Sequence, residues 1–288
     1  MARYAAHAKI NLHLAVLARE TTGYHQIETL FHALDLADDV EVNAEGAGVQ
    51  LEVSGADVGP TERNTAYLAA CTFFEQARTT PAARIRITKN VPVGAGLGGG
   101  SSDAAVTLRA LNELYGSPLD ELSLREIGFS IGSDVPFFLA AHPFALAWGR
   151  GERLLALPPL PAAPTLLVVP TVPMSTREAY HALATRRAAR ADRFSPQVLR
   201  ADDLTSYQRI AALAHNDFEE IVFAALPELR AIKQSLAAAG AIHTLVTGSG
   251  SALFAIFEDE AARESAAART RLEFQSNDII TTATCTHL

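Results

Sequence analysis

The residues with the plainest chemical capacity lie in the run PVGAGLGGGSSD, Pro92 to Asp103. Gly94, Gly96, Gly98, Gly99 and Gly100 are separated only by Ala95 and Leu97, and Ser101 and Ser102 follow. Ordering so many glycines costs backbone entropy, which a fold accepts where positive φ angles or close approach of a ligand to the backbone is required. Placed before a helix, such a loop aims free N–H groups and the positive end of the helix dipole at one spot, an arrangement suited to a polyphosphate. The two serines add hydroxyls for a phosphate oxygen or a phosphate-bound metal. A Walker loop would end in Gly-Lys-Ser/Thr, and no Lys occurs between Val91 and Asp134, so that reading fails. Gly94, Gly96 and Gly99 can be spelled as a dinucleotide fingerprint, but that motif expects a following strand with an acidic end, whereas here one helical pattern continues into another. A second feature is the turn Gly132-Ser133-Asp134, whose carboxylate could accept a proton from an alcohol or merely cap the segment after it. Phosphoryl transfer to an alcohol asks for these things: an aligned hydroxyl, stabilisation of charge, and a place for the proton.

The elements that must position these groups follow from periodicity. Ile10, Leu12, Leu14 and Val16 alternate with Asn11, His13 and Ala15, the pattern of a half-buried strand. Asn11 therefore shares a strand face with Lys9. Further strands are predicted at Gln26 to Leu36, Asp39 to Val42, Val49 to Val53 and Arg84 to Lys89, with a helix from Arg63 to Ala77. After the glycine loop, Ser101 or Ser102 offers an N-cap, and Ala104, Ala105, Leu108, Leu111 and Leu114 recur at helical spacing. A second helix, Leu119 to Ile131, ends at the Asp134 turn, and strand-like segments continue to Leu157. The proline-rich stretch from Ala156 to Pro170 marks the expected boundary between two domains, 1–157 and 158–288. Beyond it come a strand at Thr165 to Val169, helices between Ser175 and Ala239, strands at His243 to Thr247 and Ala252 to Phe257, a helix, and a strand near Ile279. Strands and helices interspersed without regular alternation indicate an α+β fold.

Composition bounds the function. In 288 residues the formal net charge is −8, which argues against a general nucleic-acid binder. The basic stretch Arg186 to Arg193 reads as a solvated helix face, because Asp192 interrupts it and Arg is the chain's default cation. Only Lys9, Lys89 and Lys233 are lysines, so each invites a separate question. Cys71 and Cys285 stand far apart, suggesting neither a disulfide framework nor a zinc site. No histidine falls in a His-Glu-x-x-His pattern, and no protein-held metal is expected. The amino terminus lacks the pattern of a signal peptide and no apolar run reaches membrane-spanning length, so a cytoplasmic chain without membrane partners is expected, as a monomer or weak homodimer.

The string Pro-x-Gly-x-Gly-Leu-Gly-Gly-Gly-Ser-Ser-Asp-Ala-Ala resembles the ATP-binding motif of the GHMP kinases. Ala8 to Val16, Gly23-Tyr24-His25, Ile131 to Phe138 and Thr247 to Leu253 extend the likeness over nearly the whole chain. They narrow it to the branch whose acceptor is a cytidine diphosphate sugar-alcohol. The resemblance implies a two-domain GHMP kinase fold with its active site in the cleft between the domains. It also implies ATP along Pro92, Gly94, Gly96, Leu97, Gly98, Gly99, Gly100, Ser101 and Ser102, with Mg2+ arriving with the nucleotide. Asn64 and Lys89 resemble residues lining the adenine site. Asp134 resembles the family's catalytic Asp and Lys9 the lysine paired with it, there to orient the acceptor hydroxyl and offset developing charge. Asn11 could hold a substrate hydroxyl. Tyr24 and His25 suit a cytosine ring that is stacked and read at its edge. Tyr180 resembles the second stacking aromatic, and Gly248 and Ser249 a loop closing over the reacting groups. Two alternatives stand beside this reading: a kinase of the same superfamily acting on another alcohol, and a silent nucleotide-binding relative.

Overall fold

The computed structural model describes residues 2–172, 174–190 and 200–288. Pro173 and the last three residues of the basic stretch Arg186 to Arg193 lie outside the described residues. The chain opens with two long strands, β1 (Ala2–Arg19) and β2 (His25–Asn43), paired antiparallel from Ala2↔Val42 to Arg19↔His25. The two strands expected between Gln26 and Val42 are thus one continuous strand, because pairing with β1 holds Leu36 to Asp38 extended. β2 is also flanked by β4 (Ala82–Thr88) at one end and β5 (Phe144–Gly149) at the other. With β3 (Gly48–Ser54) and β6 (Arg153–Ala156) at the edges, this completes a six-stranded sheet in the order β3-β4-β2-β5-β6, β1 pairing with β2. A second sheet, ordered β10-β7-β9-β8, is built from β7 (Pro164–Pro170), β8 (His243–Val246), β9 (Leu253–Ile256) and β10 (Asn277–Ala283).

Alternation along the strands produces layers. On β2, Phe31 packs among the helices α1 (Thr65–Ala77), α2 (Gly99–Leu114), α3 (Glu121–Ile131) and α4 (Val135–Leu139). Its neighbours Leu30 and Leu34 face the second sheet. On β7, Leu167 and Val169 face the first sheet, while Leu166 and Val168 pack under α5 (Thr176–Arg190), α7 (Glu219–Ala225), α8 (Glu228–Ala238) and α9 (Glu260–Glu273). The short α6 (Tyr207–Leu213) closes the inter-sheet core with Tyr207 and Ile210. The order is helices, sheet, sheet, helices, the α+β class expected from the pattern. Among the described residues no helix is long and apolar enough to cross a membrane.

Two local differences bear on the site. The N-cap of α2 is Gly98, in the left-handed region at φ 74°, and not Ser101 or Ser102. The last two glycines therefore form the first helical turn. The apolar VPFFLA segment after Asp134 begins as the five-residue helix α4, with Pro136 in its first turn, where a missing N–H costs nothing.

Three histidines are buried in the framework. Burial depresses His13, His32 and His243 to pKa values of about 4. Between pH 6.5 and 4 the unfolded chain binds these protons and the folded chain does not, so stability falls as pH drops through that window. Each histidine contributes a slope of up to roughly 1.4 kcal/mol per pH unit. Urea midpoints should decline steadily from pH 6.5 to pH 4.5, and His243→Asn should lower the slope by about one proton. Midpoints independent of pH would contradict the assignment.

Candidate active site

Lys9 is almost wholly buried, at 3% exposure, and its ammonium is fully engaged. Nζ donates to Asn11 Oδ1 at 2.7 Å and to the Gly96 carbonyl at 3.0 Å, lies 3.3 Å from Asp134 Oδ2, and sits 5.3 Å from the centre of the Phe31 ring. The strand, the glycine loop and the turn before α4 therefore meet on one cation. Asp134 is the N-cap residue of α4, yet its side chain makes no capping hydrogen bond. The carboxylate is turned to Lys9 and remains partly exposed on the cavity wall. A Cβ on Gly132 would lie 3.5 Å from Ser101 Oγ, which puts the turn bearing Asp134 against the first turn of α2.

The glycine loop is shaped by contacts that exclude side chains. Gly94, Gly96 and Gly98 all have positive φ. A Cβ on Gly98 would stand 3.0 Å from Lys9 Cγ and 3.2 Å from Phe138 Cζ, and one on Gly96 would collide with the Thr247 carbonyl. Ala95 and Leu97 are buried in the inter-sheet core and pin the loop from below. Because the cap is a glycine, no side chain satisfies the first N–H groups of α2, which are left to a ligand or water. Ser102 is buried and Ser101 partly exposed.

Lys89 is engaged inside the fold. It bonds Asp38, and Asp103 Oδ2 at 2.7 Å, while Asp38 Oδ1 accepts from the Asn90 and Val91 amides at 2.6 and 2.8 Å. This buried triad ties β2 and the end of β4 to the first turns of α2. Its remaining oxygen, Asp103 Oδ1, has no hydrogen-bond partner, and burial lifts Asp103 to a pKa of about 7 against the opposing pull of Lys89. The Lys89 ammonium is thus paired with two carboxylates beneath the loop. Asn64 caps α1, accepting from the Ala66 amide at 2.9 Å, and the next residue, Thr65, donates to the Gly100 carbonyl at 2.6 Å. That bond sets the amino ends of α1 and α2 side by side.

A cavity of about 830 Å³ opens beside Lys9 and Asp134. Gly96, Gly98, Gly248 and Ser249 reach it from the loops, and Tyr24, His25 and Tyr180 from the far side. The His25 and Tyr180 rings stack at 5.1 Å and 26°, and Tyr180 meets Phe218 edge-on at 4.8 Å. Burial, helped by the Asp134 carboxylate, pushes Tyr180 up to about 12. Burial and the charges of Arg19 and Arg187 hold His25 below its ordinary value. Tyr24 is largely exposed and lies face-on to Arg150, whose guanidinium carbon is 4.1 Å from the ring centre.

The sequence pattern did not disclose what holds these parts. Asn11 Oδ1 accepts from Lys9 Nζ, from the Gly248 amide at 2.8 Å and from Thr247 Oγ1 at 3.2 Å, while Nδ2 donates to Thr29 Oγ1 at 2.8 Å. Asn216 Nδ2 in turn donates to the carbonyls of Val246 and Gly248 at 2.7 and 2.9 Å. Thr29 and Asn216 belong to no motif, and their only signal is a small polar residue in an otherwise apolar strand or turn; Thr247 opens the last of the matched segments, but its tie to Asn11 is not visible there.

The GHMP kinases N terminal domain model matches residues 64–142, and the GHMP kinases C terminal model matches residues 197–274. The chain belongs to the GHMP kinases. Over 270 residues it is 40% identical to the 4-diphosphocytidyl-2-C-methyl-D-erythritol kinase of Geobacter sulfurreducens, covering 92% of this chain and 93% of that one. The enzyme of the same name from Pelotomaculum thermopropionicum is 40% identical over 273 residues, 94% of each chain. A crystal structure of 4-(cytidine 5'-diphospho)-2C-methyl-D-erythritol kinase superposes with a TM-score of 0.80 at 34% identity, covering 98% of this chain and 99% of the other. For a kinase of this family the phosphoryl donor is ATP.

The steric argument for the loop can be checked by a pair of variants. Gly96→Ala and Gly116→Ala each force an alanine into a positive-φ position, but only the first meets a neighbour. Gly116→Ala should lose roughly 1 kcal/mol from backbone strain alone. Gly96→Ala should lose at least twice that in chemical denaturation and should lose most ADP-forming activity. Equal losses would show that close approach to Thr247 is immaterial.

Proposed function

We propose that the chain transfers the γ-phosphoryl group of ATP to the 2-hydroxyl of 4-diphosphocytidyl-2-C-methyl-D-erythritol, giving the 2-phosphate and ADP, a step of the non-mevalonate route to isoprenoid precursors. The observation that carries the reading is the Lys9–Asp134 pair at 3.3 Å on the wall of a cavity that also holds Tyr24, His25 and Tyr180. Reaction chemistry and an aromatic site for a base occupy one chamber. The names of the relatives agree with it.

In this reading ATP lies along Gly94 to Ser102, its phosphates over the uncapped N–H groups of α2, and Mg2+ arrives with the nucleotide. The Ser101 hydroxyl and the partly exposed first turn of α2 suit a metal-bound triphosphate. Asp134 accepts the proton of the acceptor hydroxyl as the oxygen attacks phosphorus. Lys9, held by three partners, offsets the negative charge that builds between donor and acceptor without having to reorganise. The base enters beside the His25–Tyr180 stack, with Tyr24 at the rim. The boundary between 1–157 and 158–288 runs through the chamber: Lys9, Asp134, Tyr24 and His25 come from the first part, Tyr180, Gly248 and Ser249 from the second.

The test follows ADP release with Mg–ATP and a panel of alcohols. Release should depend on the cytidylyl substrate, and release driven by homoserine, mevalonate or galactose instead would overturn the acceptor assignment. Asp134→Asn should lower kcat by roughly 100-fold or more, and it should also lower the urea midpoint, because it removes the carboxylate paired with buried Lys9. Turnover within about threefold of the parent would remove the base role.

A further inference from the structure

Two buried lysines flank the glycine loop, and their charges are balanced unequally. Lys9 lies 3.3 Å from one carboxylate, Asp134, and the two charges cancel. Lys89 serves two: among the described residues, Asp38 and Asp103 share its single ammonium, the latter through Oδ2 at 2.7 Å. Both aspartates are buried, at 0% and 2% exposure, so the cluster holds an excess negative charge inside the fold. Asp38 Oδ1 is met by the amides of Asn90 and Val91. Asp103 Oδ1 has neither a hydrogen-bond partner nor exposure to solvent.

The excess charge sits directly under the amino end of α2. A Cβ on Gly99, the first residue of that helix, would stand 3.3 Å from Asp38 Oδ2. Asp103 is the fifth residue of α2, and a helical side chain leans back toward the amino terminus. The uncapped N–H groups and the positive end of the helix dipole thus have a buried anion behind them. In a low-dielectric interior such a charge is little screened. It is also costly to the fold: burial above all, and then Asp38, oppose the ionisation of Asp103, with Lys89 pulling the other way. A neutral amide at this position would fit better, its oxygen keeping the bond from Lys89 and its nitrogen donating to Asp38, which lies within hydrogen-bonding reach. Holding α2 in place therefore does not require the charge, and its effect falls on what the loop binds.

We propose that Asp103 is an electrostatic counterweight to the phosphate loop: its buried charge weakens the hold of the amino end of α2 on a polyphosphate, so that ADP leaves once the γ-phosphoryl group has gone. The inference rests on the placement of ATP along Gly94 to Ser102 given above. Asp103 touches no reacting group and acts only through the field it sets on the loop. Uncapped amides and a helix dipole acting alone would retain a diphosphate, and a kinase that retains its product turns over slowly.

The experiment measures equilibrium binding of Mg–ADP and of adenosine at about pH 8.5, above the value of about 7 to which burial lifts Asp103. Asp103→Asn should bind Mg–ADP roughly three- to tenfold more tightly than the parent and adenosine equally, because only the phosphates feel the lost charge. Its urea midpoint should be no lower than the parent's. Asp103→Ala, which removes the charge without supplying a new donor, should tighten Mg–ADP in the same direction. Asp39→Asn deletes the same charge at the exposed neighbouring position and should change Mg–ADP affinity by less than about twofold, since water and salt screen it. Parental or weaker Mg–ADP affinity in both Asp103 variants, or equal tightening of adenosine, would overturn the counterweight. Hydrogen exchange separates this outcome from an error in the donor site: Mg–ADP should protect the amides of Gly99 to Ser102 in the parent. Protection without tightening in the variants refutes the counterweight alone, whereas binding without protection refutes the placement of ATP and the counterweight with it.

Discussion

The buried ammonium of Lys9 is the constraint on which the rest of the site depends. A cation removed from water is tolerable only when it is paired and hydrogen-bonded throughout. Lys9 meets that demand with one partner from its own strand, one from the glycine loop and one from the turn before α4. Each partner must then be held from behind. Asn11 is fixed by Thr29 and by the Gly248 turn, the Gly96 carbonyl by a backbone that only glycine adopts at that spot, and Asp134 by the start of α4. The geometry required for phosphoryl transfer is thus the geometry that makes a buried lysine affordable.

A second buried lysine does comparable work on the other side of the loop. Lys89, between Asp38 and Asp103, binds the end of β4 to β2 and α2, and Asp38 also captures the two amides that lead into the loop. The glycine loop is therefore clamped from both flanks by lysine. In a chain that otherwise uses arginine, the choice has a steric reason. An ammonium is a compact point charge that three groups can surround, whereas a guanidinium needs a planar slot and directional partners. The arginines are instead placed where there is room, at the cavity mouth and on the surface.

Much of this was legible in the residues. The five glycines marked a loop of positive-φ positions leading into α2, alternation from Ile10 to Val16 put Lys9 and Asn11 on one face, and the α+β class followed from the irregular order of elements. What stayed hidden has a physical cause in each case. The start of α2 was misplaced because glycine is a poor helix former, so the eye stops at the serines, whereas the helix begins at Gly99 behind a Gly98 cap. Lys89 carried a family resemblance at a position whose burial by two distant carboxylates cannot be read from spacing. Thr29, Asn216 and Thr247 act through contacts between residues far apart in the chain, including one of 236 positions, and such contacts leave no local pattern.

The core shared by the two sheets limits how this kinase can move. Ile10, Leu30 and Leu34 of the first sheet lie in one continuous apolar cluster with Leu167, Leu245 and Phe254 of the second. Parting the sheets would expose side chains whose burial is worth about 1.5–3 kcal/mol apiece, a cost that opposes a hinge across that seam and favours smaller movements at the rim, where Thr176 at the start of α5 meets Ser249 of the Gly248 turn. Mechanically the molecule is a rigid block with an adjustable lip.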